Sequence, residues 1–231
     1  MVVLDVVAAI LPHSRSEIAR RINEMFYARV LSSTVPHTVV IIAPDHDAVL
    51  GDYGIAGLGG DWFERLDTEL ATCISSASEV GLAPSSLFSD YSLLYHAKMV
   101  KKYISPNTLI VPVYAPYVSR YYEERLGRAI ARCAISSGKR VLVIATTDMT
   151  HYDDSGRGAK NDIDAIEMLL ELEPEEFLDS VEENNLSWCG PAAAASATYY
   201  AKEIGARRGE LGTYVYEKIG DTYNGYGIIY F

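Results

Sequence analysis

Four near-continuous apolar runs rich in β-branched residues, at 6–11, 38–43, 108–113 and 140–145, constrain this chain more than any other feature. A strand with one wet face alternates apolar and polar residues, whereas a strand covered on both faces is apolar throughout. Helical patterns lie between the runs. Ser14 and Glu17 make an S-x-x-E capping box, with Ile18, Ile22, Met25 and Phe26 as the apolar stripe behind it. Further helices are expected at about 61–79, 90–103 and 120–137. Strand alternating with helix is the pattern of an α/β sheet built from right-handed crossovers.

The last third adds helical patterns at 161–172 and, after Pro174, at 175–183. Cys189-Gly190-Pro191 opens an Ala-rich helix that ends near Gly205. The tail, "GTYVYEK" and "YGIIYF" around Gly220-Asp221 and Asn224-Gly225, reads as an antiparallel hairpin. No linker, repeat or low-complexity segment divides the chain. The expectation is a single α/β domain over 1–231: a mainly parallel sheet flanked by helices, closed by a C-terminal antiparallel hairpin.

Composition narrows the function classes. A formal net charge of −11 argues against nucleic acid and against an anionic membrane surface, since both need clustered Lys and Arg. The first residues, MVVLDVVAAILPH, lack a basic segment, carry Asp5 and are too short to span a bilayer. Cys73, Cys133 and Cys189 suggest no disulfide framework, and Cys73 and Cys133 read as inert, buried small hydrophobes. A cytoplasmic protein is expected.

In open α/β sheets, ligands bind beyond the carboxyl ends of the strands. His13 follows the first run, His46 the second, and His151 the fourth with Asp148 between. Any one of these could be an ordinary turn residue; three at one sheet edge point to a site. His37 precedes its strand and reads as an exposed loop residue, and His96 as a partly buried helical one. Cys189 stands at a helix start, where the partial positive charge favours a thiolate. Two imidazoles and a thiolate are a common ligand set for iron, copper or zinc that leaves coordination positions open. Asp148 could orient His151 or a ligand; Asp45 and Asp153 read as solvated turns.

Taken together, these stretches resemble the Memo family, also called AmmeMemoRadiSam system protein B. "VVIIAPDH" is similar to that family's strand ending in G-P-S-H, and "ATTDMTHYD" to its S-S-D-x-S-H-Y/W segment. "LEPEEFLDSVEENNLSWCGPAAAASATYYAKEIGARRGEL" resembles its L-x-P-x-x-F…E-N-x-x-x-C-G segment, and "YGIIYF" its final strand. The resemblance implies an α/β fold related to class III extradiol, LigB-type dioxygenases. It implies His13, His46 and Cys189 as metal ligands and Asp148 and His151 as the adjoining pair, with His151 as acid/base. The chain departs from the family pattern in three places. The family's opening A-G-x-F-Y-P has no counterpart, "PHSRS" stands for P-H-A-G-Y, and in "SDYSLLYHAK" Tyr91 and Leu94 replace a histidine and an acid. These changes bear on substrate more than on fold.

The function expected is redox or oxygenase-like chemistry at a non-haem Fe(II) site, with copper or zinc as alternative metals. Its partner would be a small molecule or a peptide. The competing reading is a non-catalytic peptide- or protein-binding module on the same scaffold. A Cys189–His151 hydrolase ranks last, because the sequence supplies no evident oxyanion hole.

Overall fold

Each of the four apolar runs forms a strand at the centre of one sheet. The computed structural model describes residues 6–31, 35–58, 65–151, 153 and 156–231. The runs become β1 (Ala8–Leu11), β2 (Thr38–Ala43), β5 (Leu109–Tyr114) and β6 (Val141–Thr146). They lie side by side in parallel in the order β5-β2-β6-β1. Two further strands, β3 (Gly54–Leu58) and β4 (Leu82–Pro84), extend the β5 edge, with β3 antiparallel to β5. The expected hairpin, β7 (Glu210–Ile219) and β8 (Thr222–Tyr230), extends the other edge through β8, which runs antiparallel to β1. The result is an eight-stranded mixed sheet in a single α/β domain.

Alternate residues of the central strands feed two separate cores. Val40, Ile42, Val143 and Ala145 pack on one face and Val39, Ile41, Leu142 and Ile144 on the other. The first face is covered by α2 (Thr68–Ser78), α4 (Tyr122–Ser137), α5 (Gly158–Leu170), α6 (Pro174–Glu183) and α7 (Pro191–Ile204). The second is covered by α1 (Glu17–Leu31), α3 (Tyr91–Met99) and a π-helical turn, Val100–Ile104. The Ala-rich stretch lets α7 press against α4: a Cβ on Gly127 would lie 2.5 Å from the Ser196 carbonyl oxygen.

The structure corrects several expectations. The α1 cap is Ser16, whose Oγ accepts from the Ala19 N–H at 3.1 Å, and Met25 on that helix is exposed. The helix expected at 61–79 begins at Thr68, capped by Asp67; 61–64 lie outside the described residues. Cys73 and Cys133 are not free. They form a disulfide joining α2 to α4, a pairing that spacing cannot reveal because 60 residues separate the two. That bond also removes cysteine usage as an argument for a reducing compartment. No helix among the described residues is long and apolar enough to cross a membrane.

Candidate metal centre

Three strand ends and one helix start converge at the carboxyl edge of the sheet. His13 leaves β1 through Pro12, whose carbonyl accepts from Asn23 Nδ2 at 2.8 Å and from His96 Nε2 at 3.1 Å. Tyr27 Oη lies 3.0 Å from the other ring nitrogen of His96. His96 is thus wholly buried rather than partly, and burial pushes it down to about 3, so it is a neutral prop behind the His13 turn. His13 itself is buried, and its Nδ1 lies 2.8 Å from Thr146 Oγ1. Burial pushes its imidazole down to about 4, leaving it neutral as a ligand must be.

His46 leaves β2 through Pro44-Asp45, and its side chain is 43% exposed. Its Nδ1 donates to Asp90, 3.0 Å from Oδ2, and its backbone N–H donates to the same oxygen at 3.0 Å. The bond to Asp90 raises His46 above its ordinary value against the opposing effect of burial. Burial alone would raise Asp90, but the bonds from His46 and Ser92 hold its carboxyl well below the usual range. Asp45 is no solvated turn. It is buried, and its carboxylate accepts from the Val49, Leu50 and Gly51 N–H groups, shaping the loop that carries His46.

Cys189 precedes α7. Its Sγ accepts from the Asp148 N–H at 3.1 Å and lies 3.3 Å from His13 Nε2. The expected thiolate bias is overturned: burial first, then the Asp148 carboxylate, pushes the thiol far up, outweighing the Thr147 hydroxyl and the nearby backbone donors. The next residue must be small. A Cβ on Gly190 would meet the Thr146 carbonyl oxygen at 2.6 Å, and the Gly190 N–H donates to Thr147 Oγ1 at 2.8 Å.

Asp148 is buried, and its Oδ1 accepts from the His13 and Ser14 N–H groups at 2.9 and 3.1 Å. Burial would raise it, but the neighbouring His151 and His13 keep it below its ordinary value. His151 Nδ1 donates to the Met149 carbonyl at 2.7 Å, which directs Nε2 towards Asp148 Oδ2 at 3.6 Å, an ion-pair separation too long for a hydrogen bond. Burial lowers His151, but Asp148 and the Met149 carbonyl together raise it.

One donor atom each from His13, His46 and Cys189 lies within 4.8 Å of the others. Ligands about 2.0–2.3 Å from a common ion sit at most ~4.6 Å apart, so the group fits a metal after a small closure. Both Nδ1 atoms are already engaged, by Thr146 and Asp90, which leaves Nε2 as the remaining ring donor of each histidine. This is the outer support that metal-binding histidines normally carry. Asp90 and Thr146 were missed in the sequence, although the S-D-Y-S cap signal at the start of α3 marks Asp90 as a fixed residue.

A buried carboxylate on α5 was missed as well. Asp162 accepts from Thr150 Oγ1 at 2.9 Å, Trp188 Nε1 at 2.7 Å and Tyr214 Oη at 2.8 Å, tying the His151 loop to the Cys189 loop. Asp153 accepts from the Gly158 N–H and from Tyr216 Oη, so it too is more than a solvated turn. His37 is the exposed loop residue expected. Of the two substituted positions, Leu94 packs against the α1-side core, whereas Tyr91 is 37% exposed.

A family model described as Memo-like protein matches residues 4–225. A MEMO1 family protein of Nitrosopumilus maritimus is 29% identical over 213 residues, covering 88% of this chain and 76% of the relative. One from Methanopyrus kandleri is 27% identical, covering 87% of this chain and 72% of its own length. Among solved structures, an uncharacterized protein of Escherichia coli K12 matches with a TM-score of 0.55, covering 96% of this chain and 98% of that one. At 11% identity that likeness speaks for the fold alone.

Proposed function

The chain belongs to the Memo-like protein family, and from that membership we propose that it works through one metal ion, Fe(II) or copper, held by His13, His46 and Cys189. The observation that carries this reading is the donor set: two supported imidazoles and a thiol whose ligand atoms fall within 4.8 Å. When bound, such an ion supplies redox or oxygenase-like chemistry at its open positions.

The chain's own groups then divide the work. Burial keeps His13 neutral while Thr146 engages its Nδ1; Asp90 engages Nδ1 of His46 and so orients that ring, although the same bond raises the imidazole. Asp148 holds the His13 turn through two backbone N–H groups. His151 holds or moves a proton at Nε2, because Nδ1 is committed to the Met149 carbonyl. To ligate an ion, Cys189 would have to give up its thiol proton.

Anaerobic titration of wild type and Cys189→Ala with Fe(II) and with copper, metal content read by elemental analysis, tests the proposal. Near-stoichiometric metal in the wild type, lost in the variant, is expected. Absence of metal from a folded wild type would sink the metal reading and leave the non-catalytic binding module standing.

A further inference from the structure

A contact joins the loop that carries His13 to the start of α3, whose cap Asp90 holds His46. Arg15 lies two residues beyond His13, and its guanidinium carbon sits 4.2 Å from the ring centroid of Tyr91. Tyr91 directly follows Asp90, the carboxylate that holds His46. The pair therefore links the segment two residues past His13 to the residue next to the carboxylate that holds His46. Both residues are exposed. These are also positions at which the chain departs from the pattern its sequence resembles.

Arg15 differs from most arginines of this acidic chain. Arg20, Arg21, Arg29, Arg120, Arg125, Arg128 and Arg208 each meet a carboxylate within ion-pair distance. No carboxylate among the described residues stands that close to Arg15. A guanidinium resting on an aromatic face keeps its edge N–H groups available, and that planar fork matches a carboxylate. The carboxylates of the centre, Asp90 and Asp148, are already committed to His46 and to the His13 turn.

We propose that Arg15, braced on Tyr91, is the specificity element of the metal centre and selects a small organic carboxylate. The carboxylate would lie against the guanidinium edge while the rest of the molecule reaches the ion. This inference rests on the proposed centre for its place in the reaction, but the charge selection itself needs no metal. Tyr91 acts by positioning: its ring limits the directions the guanidinium can take.

The test compares 4-hydroxybenzoate with its uncharged amide, 4-hydroxybenzamide, by calorimetric titration of metal-free and Fe(II)-loaded protein without oxygen; inorganic phosphate serves as a compact control anion. In the wild type the carboxylate is expected to bind about tenfold more tightly than the amide, the worth of one charge-assisted contact. Arg15→Gln should make the two ligands equal, Arg15→Lys should keep part of the preference, and Tyr91→Leu should reduce it. Fe(II) stoichiometry should stay the same in all three variants. Equal binding in the wild type, no measurable carboxylate binding, a preference that survives Arg15→Gln, or phosphate binding as tightly as the benzoate would each overturn the inference. Failure of Fe(II) to bind at all would instead count against the proposed centre, leaving charge selection in the metal-free protein to be read on its own.

Discussion

Cys189 Sγ lies 3.3 Å from His13 Nε2, although 176 residues separate them in the chain. The contact exists because β1 and β6 are neighbours in parallel register and α7 begins against the end of β6. It places a protonated thiol beside a neutral imidazole, and the consequences can be measured.

The first concerns the thiol. Burial and the Asp148 carboxylate hold Cys189 protonated at neutral pH, and the thiolate is the reactive form. Iodoacetamide should therefore label native, metal-free Cys189 at pH 7 at least ~10-fold more slowly than it labels the unfolded chain. Rapid single-site labelling of the native protein would contradict this and revive the Cys189–His151 hydrolase.

The second concerns Asp90. Asp90→Asn keeps an acceptor for the Ser92 N–H but removes the charge behind His46. Metal affinity should fall by roughly 10-fold to 100-fold, the usual effect of losing such a partner, with little change in unfolding midpoint. Competitive titration against a chelator reads the affinity; an unchanged value would mean that His46 is not a ligand.

The third is a pH effect. The folded-state values of His13 and His96 are about 4 and about 3, below the ordinary 6.5. Between pH 6.5 and 4 the unfolded chain binds protons that the native chain refuses, so stability is present above that window and lost as pH falls through it. Each imidazole contributes a slope of about 1.4 kcal/mol per pH unit, and Asp162, raised by burial, opposes it in the lower part. Denaturant unfolding at pH 7 and pH 5 should show the loss. His96→Leu should flatten the slope by about one proton, and an identical slope in that variant would rule His96 out as its source.

The fourth concerns the covalent link. Cys73–Cys133 closes a 60-residue separation, for which chain entropy gives about 4 kcal/mol of stabilisation. The double variant Cys73→Ala/Cys133→Ala should unfold at correspondingly lower denaturant. Its metal stoichiometry should match the wild type, because the link joins α2 to α4 and touches no ligand loop. Unchanged stability on losing both sulfurs would show that the bond is not formed in solution.

Much of the fold was legible because burial on both faces writes itself into local composition. The run TVVIIA at 38–43 is strand β2 over those same residues. The same logic placed β1, β5 and β6, while turn residues marked the terminal hairpin. It failed for β3 and β4, whose sequences GIAGL and LAP are short and interrupted by Gly or Pro. β3 exists because the β5 edge offers it a partner and β4 because β3 does, not because their own residues demand extension. The cap of α1 was misplaced by two residues because Ser14 and Ser16 carry equivalent local signals, and the Ser14 N–H is taken by Asp148 from a distant loop.

At the candidate site, His13, His46 and His151 could be singled out because each follows an apolar run, and strand ends are where such sheets place ligands. Local sequence also marked Cys189 as a helix start. Which of these donors meet, and in what state, was settled by strand order and helix packing. Asp90 reaches His46, Asp162 ties two loops together, and Cys73 finds Cys133 only once the sheet is assembled. The helix start suggested a thiolate, yet burial and a neighbouring carboxylate hold Cys189 as a thiol. Periodicity records how each segment is covered, a property of a few adjacent residues. Contacts across tens to hundreds of residues, and the desolvation they bring, arise only when the segments pack.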